Sequence, residues 1–297
     1  MFNSKHSAVG LLAFVGGVAT GLGMAVPRAS ATLLAYEPFN YTAGTNLVGT
    51  TSTGTGFTGT WTETGYNGGT ETFTIGSGSL SYSGLPTAGN SVLGIVASSG
   101  TYPVNQESLA TAIAAPTATN PTVTTWYSFL LKTPSTVNWN AGLQINGSTD
   151  TAVFGEAQNS ANGTGTHWSI SSPGHNTFGV ETPAITIAAN TTYFLVLEDT
   201  ANYGSTDTMN LYVDPTVGLA SPSVSAAVTD SLITVGKVSS IGLSTQRAYS
   251  FDEVRIGTTF ADVAPSNSAI PEPASLGLLL LGSAGILLLG RRRGYGH

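Results

Sequence analysis

The chain has 297 residues, only 8% of them charged, and no cysteine, which excludes a disulfide scaffold, a cysteine-ligated zinc module and a charge-rich coiled coil. Nine basic residues against 16 acidic ones give a net charge of −7. That balance excludes a nucleic-acid binder, which needs a basic patch to displace counterions.

Lys5 and His6 make a short polar head, and Ala8 to Val26 is a run of small and apolar residues. Ala29-Ser30-Ala31 then carries the small-x-small pattern of a signal-peptidase site. Five glycines in the run weaken it as a permanent membrane helix. Residues 1–31 are expected to be a cleaved signal peptide, with Ala29 and Ala31 marking the cut.

Residues 32–265 read as one β domain. Between Thr32 and Ile270 the basic residues are Lys132, Lys237, Arg247 and Arg255, against 15 acidic residues, a net charge of −11. Tyr41 to Thr74 holds 13 threonines in 34 positions, interleaved with glycine, which suits solvated loops and short strands. Alternation predicts strands at Thr70–Ile75 and Ser79–Tyr82. Ser108–Ala115 is the one stretch that predicts a short helix. Thr125–Lys132 is a strong aromatic and apolar strand, and Ala141–Asn146 alternates and turns at Asn146-Gly147. Thr166–Ser171 sets His167 and Trp168 on opposite faces. Thr191–Leu197 is almost continuously apolar and predicts a strand buried on both faces. Met209–Val213 alternates and stops at Asp214-Pro215. Leu232–Val235, Ser239–Leu243 and Phe251–Ile256 complete the set. In the last of these, simple alternation puts Asp252, Val254 and Ile256 on one face, and Glu253 and Arg255 together as a weak solvent-side pair.

Tyr193–Leu197, then Asn210–Pro215, then the closing Phe251–Gly257 make a recognisable order, with Tyr36–Tyr41 as the opening strand. These pieces resemble the concanavalin A-like jelly rolls of the laminin-G-like kind. The resemblance implies an all-β jelly-roll β-sandwich in which the first strand pairs beside the last.

After a linker at 266–270 comes Pro271-Glu272-Pro273, then 17 small and apolar residues from Ala274 to Gly290, then Arg291, Arg292 and Arg293. The apolar run predicts a single transmembrane helix at 274–290. The arginines place residues 294–297 in the cytoplasm and the domain outside. The flanking prolines keep Glu272 in extended chain. This layout over 271–293 resembles the PEP-CTERM sorting signal of Gram-negative bacteria. The resemblance implies an exosortase-type membrane protease as partner, with Glu272 as a recognition residue. It also implies passage through the inner membrane to the cell surface or an exopolysaccharide matrix.

Hydrolysis of a glycan needs two convergent carboxyls. Glu198-Asp199 and Asp252-Glu253 are sequence neighbours, which point to opposite faces of a strand, and no serine sits in a Gly-x-Ser-x-Gly elbow. The expectation is therefore a non-enzymatic adhesion or carbohydrate-binding protein. A secreted glycan-active hydrolase or lyase of the same fold is the alternative, and a purely structural matrix component is a third. Trp61, Tyr66, Trp139 and Trp168 are the candidates for stacking on sugar rings, while Trp126 reads as core. Calcium is the one cofactor suggested, through the oxygen ligands Asp199, Asn202 and Asp207, although no Asp-x-Asp-x-Asp-Gly array is present.

Overall fold

The computed structural model describes residues 32–64, 73–94, 103–136, 140–158, 166–172, 177–178, 180–181 and 185–267. The expected signal peptide, with Ala29 and Ala31, and the expected sorting signal, with Pro271, Glu272, Pro273 and Arg291 to Arg293, lie outside the described residues. Among the described residues no helix is long and apolar enough to cross a membrane.

The β-branched and aromatic runs fold as strands. In chain order these are Leu33–Glu37 (β1), Phe57–Glu63 (β2), Thr74–Ile75 (β3), Val92–Leu93 (β4), Val104–Ile113 (β5), Thr122–Lys132 (β6), Ala141–Gly147 (β7) and Thr151–Gln158 (β8). Thr166–Ser172 (β9), Thr177–Phe178 (β10), Val180–Glu181 (β11), Thr192–Asn202 (β12), Thr208–Val213 (β13), Val228–Asp230 (β14), Val238–Thr245 (β15) and Ser250–Gly257 (β16) follow. One short helix, Phe260–Val263 (α1), comes after β16. The strands form two antiparallel sheets. One is ordered β11-β14-β13-β12-β6-β16-β4-β3, with β1 also on β16, and the other is ordered β10-β9-β8-β7-β15-β5-β2. The protein is thus an all-β sandwich, and its first strand does pair with its last.

The main core lies between the sheets. Phe129 is fully buried there, its ring edge-on to Phe154 (centroids 5.3 Å) and stacked on Phe251 (6.1 Å). A second, smaller core covers the outer side of the nine-stranded sheet, where Trp126, Leu130, Phe194 and Val196 meet Leu85, Phe260 and Val263. β6 and β12 are therefore apolar on both faces, as the continuous run at Thr191–Leu197 required. Helix α1 is held over this second core by Asp262, whose carboxyl accepts the amides of Thr258 (3.0 Å) and Thr259 (2.8 Å).

Four local expectations fail. Ser108–Ala115 is not a helix: Ser108–Ile113 belongs to β5 and the last two alanines are irregular, because pairing to β15 and β2 overrides the helix preference of the alanines. Ser79–Tyr82 is not a strand: it is irregular chain held down by Asp252, which accepts the Ser79 hydroxyl (2.6 Å) and the Leu80 amide (2.7 Å). Leu232–Val235 is likewise irregular, and the neighbouring strand is β14. The β16 facing is also revised. Asp252 pairs with Leu130 and Arg255 with Ser128, so two residues bulge opposite one, and Glu253 takes a φ of 56°. Phe251, Val254 and Ile256 then share the core face, while Asp252 leaves it. Glu253 and Arg255 form a buried ion pair, 0% and 3% exposed, instead of a solvent-side one.

Phe129→Ala removes the ring at the centre of the main core. It is expected to lower stability by about 3–5 kcal/mol, read from chemical denaturation of the full chain.

Candidate functional site

The inward residues of the seven-stranded sheet, among them Leu143, Ile145, Ala152, Phe154, Trp168, Ile170, Ile241 and Leu243, belong to the main core. Alternation turns their neighbours outward. Register assembles these neighbours into rows that cross the strands. One row is Ser244, Gly142, Gly155 and Ser169. The next is Gln106, Gly242, Gln144, Val153 and Ser171. Gly142 and Gly155 face each other because β7 and β8 run too close for side chains: a Cβ would lie 2.5 Å from the Phe154 carbonyl oxygen at Gly142, and 2.2 Å from that of Ala141 at Gly155. The result is a floor of glycine and serine beside a line of amides.

The amides are ordered by their own contacts. Gln144 Nε2 donates to Asn146 Oδ1 (2.5 Å), and Asn146 Nδ2 donates to Ser240 Oγ (3.1 Å). Thr64 donates to Gln106 Oε1 (3.2 Å), and Asn140 Nδ2 to Gln246 Oε1 (3.1 Å). Gln106, Gln144, Asn146 and Ser171 are half-buried, so their remaining donors and acceptors meet solvent. His167 lies outward at the end of β9, opposite Ala157. Among the described outward-facing residues of β2, β5, β15, β7, β8 and β9 there is no carboxylate. Amides and hydroxyls on a shallow, uncharged face offer hydrogen bonds to the hydroxyls of a sugar chain.

Two of the stacking candidates, Trp61 and Trp168, do not reach this face. Trp61 is fully buried on β2, donating from Nε1 to Tyr41 Oη (2.9 Å), because the surrounding threonines and glycines hide an inward position of a strand. Trp168 is 1% exposed and edge-on to Tyr193 (4.9 Å), so it too is core. Tyr66 and Trp139 lie outside the described residues. Trp126 is buried as expected, in the second core.

The calcium trio is not assembled either. Asp199 and Asp207 both point inward and are nearly buried, but Asn202 faces the other way and its side chain accepts from Thr122 (3.3 Å). Among the described residues no group of three or more His, Cys, Asp or Glu is placed to hold a metal.

The carboxyls instead form buried pairs. Glu37 accepts the Phe39 amide (2.7 Å), the Tyr41 hydroxyl (2.9 Å) and the Ser52 hydroxyl (2.7 Å). Glu107, on the inward face of β5, has neither oxygen hydrogen-bonded. Burial, and then the adjacent Glu37 carboxylate, push it up to about 9. Asp199 is pushed up to about 8 by burial and by Asp207, and Asp252 to about 8, chiefly by burial. Glu37 with Glu107 and Asp199 with Asp207 lie inside the sandwich, and Asp252 and Glu253 lie buried beneath the 79–88 segment, all out of a substrate's reach.

No family model matches the chain, and no curated protein matches it. Several solved structures align with it. Domain 4 of an extracellular GH43 arabinanase from Geobacillus stearothermophilus, in complex with arabinotriose, is 15% identical with a TM-score of 0.45, over 79% of this chain and 98% of that one. A beta-1,3-glucanase from Mycobacterium marinum is 11% identical with a TM-score of 0.40, over 76% and 99%. An endo-beta-1,4-glucuronan lyase from the fungus Trichoderma reesei is 11% identical with a TM-score of 0.32, over 69% and 97%. Against the expectation of a non-enzymatic protein, the solved structures that align with this chain are of glycoside hydrolases and polysaccharide lyases.

The displaced carboxyls yield a pH prediction. Those with clear shifts, Glu107, Asp199, Asp207, Asp214, Asp252 and Glu253, all shift upward. A carboxyl raised on folding contributes stability that is complete below its unfolded value and lost as pH rises through the folded one. Thermal unfolding should therefore occur at falling temperature as pH is raised from about 5 to about 9. Glu107→Gln should flatten that slope and raise stability at about pH 8 by roughly 1–3 kcal/mol, measured by calorimetry.

Proposed function

We propose that this protein is an exported, carbohydrate-active sandwich of the concanavalin A-like kind. In this reading a polysaccharide chain lies across the outward face of its seven-stranded sheet. The observation that carries it is the register-built row of Gln106, Gln144 and Ser171 beside the Ser244, Gly142, Gly155 and Ser169 floor. The half-buried amides bond the hydroxyls of the sugar rings. An uncharged face on a domain of net charge −11 favours neutral glycans over anionic ones.

Glycan cleavage is a second reading, favoured by His167 at the end of this face. Imidazole is the commonest general acid or base, and on the described outward face it is the group able to move a proton.

Export rests on the two flanking segments. A signal peptide at 1–31 starts it, and a PEP-CTERM signal at 271–293 holds the protein at the inner membrane. An exosortase-type protease then releases it to the cell surface or extracellular matrix.

Two experiments test these statements. The full chain should be retained on an immobilised neutral polysaccharide, and Gln106→Ala with Gln144→Ala should weaken retention about tenfold, the effect of roughly 1.4 kcal/mol. Failure to bind any member of a broad polysaccharide panel would overturn the reading. The same panel, assayed for new chain ends, tests cleavage, which His167→Ala should abolish without loss of retention. For sorting, replacing Pro271, Glu272 and Pro273 by alanine should trap a membrane-bound form in the native host, visible by fractionation. Release at the normal rate contradicts the sorting role.

A further inference from the structure

Toward its C-terminal side the described chain is held to the sandwich as far as Asn267. The Asn267 amide donates to the Gly84 carbonyl (3.0 Å), and the Gly218 amide donates to the Ala264 carbonyl (2.7 Å). Three segments, 79–88, 215–226 and 259–267, thus meet around the exit. The first is anchored from beneath by buried charges. Asp252 takes the Leu80 amide, Glu253 takes the Ala88 amide (2.5 Å), and Arg255 Nη2 donates to the Pro86 carbonyl (2.6 Å). The second joins it where the Tyr82 hydroxyl donates to the Pro215 carbonyl (3.4 Å). The exit is consequently part of the folded sandwich.

This face is uncharged. Residues 76–94, 215–229 and 263–271 contain no Asp, Glu, Lys or Arg. Asp214, at its margin, turns one oxygen inward to accept the Phe194 amide (2.8 Å), and Asp262 is nearly buried at the start of α1. Two large apolar side chains stand open on it, Leu219 (43% exposed) and Val224 (40%).

Covalent reach then limits the geometry. Pro271 is four residues beyond Asn267 and Ala274 is seven. A fully extended chain spans at most about 3.6 Å per residue, so Pro271 lies within about 14 Å of Asn267 and Ala274 within about 25 Å. The headgroup layer itself takes roughly 5–8 Å of that reach on each side of the hydrocarbon.

The geometry points to a docking surface: while the tail is uncut, the exit face formed by 79–88, 215–226 and 259–267 rests on the outer surface of the bilayer, with Leu219 and Val224 in the headgroup layer. The inference rests on reading Ala274–Gly290 as membrane-spanning. Charge selects the face. A domain of net charge −11 is repelled by an anionic lipid surface, and the tether forbids a large stand-off. Close approach is therefore easiest through a face that carries no charge. A membrane protease acting near Pro271 would work on chain pinned between the sandwich and the lipid.

The absence of native cysteine makes the test clean. Leu219→Cys, Val224→Cys and Tyr203→Cys are each made in the full chain and labelled with an environment-sensitive dye. Tyr203 is 59% exposed and lies at the opposite end of the β12–β13 hairpin from Asp214. Each protein is reconstituted into vesicles of phosphatidylcholine and phosphatidylglycerol that carry a headgroup-level quencher. Quenching at positions 219 and 224 should exceed that at 203 by at least twofold. Equal quenching at the three positions in protein that floats with the vesicles overturns the docking surface and leaves the anchor standing. Protein that does not float overturns the anchor, and the docking surface with it.

Discussion

A buried ionic knot on the last strand holds the rest of the sandwich in place. Asp252, Glu253 and Arg255 are each 3% exposed or less. Glu253 also takes a left-handed backbone, φ 56°, which costs a non-glycine residue about 1–3 kcal/mol. Surrounding donors offset that strain. Glu253 receives the Ala88 amide, the Tyr36 hydroxyl (2.9 Å) and Arg255, while the Arg255 guanidinium also lies 4.7 Å over the Tyr36 ring. The bulge divides β16 into two working halves. Ser250 and Phe251 pair with β4, and the part beyond Glu253 pairs with β1. The opening strand, the 79–88 segment and the central β6 are thereby tied to one short stretch. Removing Glu253 or Arg255 would leave the other charge buried without its partner, which is far costlier than losing an exposed pair.

The two sheets then divide the labour. The nine-stranded sheet has its middle covered on both sides, because β6 and β12 carry apolar residues on each face and α1 with Leu85 closes the outer one. The seven-stranded sheet has apolar residues on one face only. Its other face carries amides, hydroxyls and glycines, which solvent or a glycan can satisfy equally well. That asymmetry explains why a ligand would choose one sheet, and why the exit of the chain can occupy the loops beside the other sheet without competing for the same surface.

The parts legible in the sequence were those where burial leaves a compositional trace. Thr125–Lys132 and Thr191–Leu197 are apolar at consecutive positions, and a strand buried on both faces has no other way to look. The pairing of Tyr36 beside Arg255 followed from the resemblance of the first and last strands to a known order. Other features left no such trace. Trp61 sits among threonines and glycines that read as loop, yet threonine is also the residue of an exposed edge strand, so an inward Trp there looks like an outward one. Ser108–Ala115 has the small residues of a helix, and only non-local partners such as Ser240 and Thr58, on either side of Ser108, make it a strand. The bulge at Glu253 reverses the facing of Asp252 with no glycine to signal it. The candidate site itself was invisible, because Gln106, Gln144 and Ser171 lie far apart in sequence and meet only through register.

The buried carboxyls change how the surface charge is counted. Glu107, Asp199 and Asp252 are pushed up to about 9, 8 and 8, so at neutral pH each mainly keeps its proton. These upward shifts leave the domain less negative than its formal −11. All three are buried, Glu107 and Asp199 between the sheets and Asp252 beneath the 79–88 segment, so they add little to the field at the surface. The remaining carboxylates, set against only four basic side chains, keep the molecule soluble and repel anionic polymers. The uncharged patches, the amide-lined sheet face and the exit face, are then the surfaces on which close contact costs least. The two proposed contacts, with glycan and with lipid, would then use different faces of the same sandwich for one electrostatic reason.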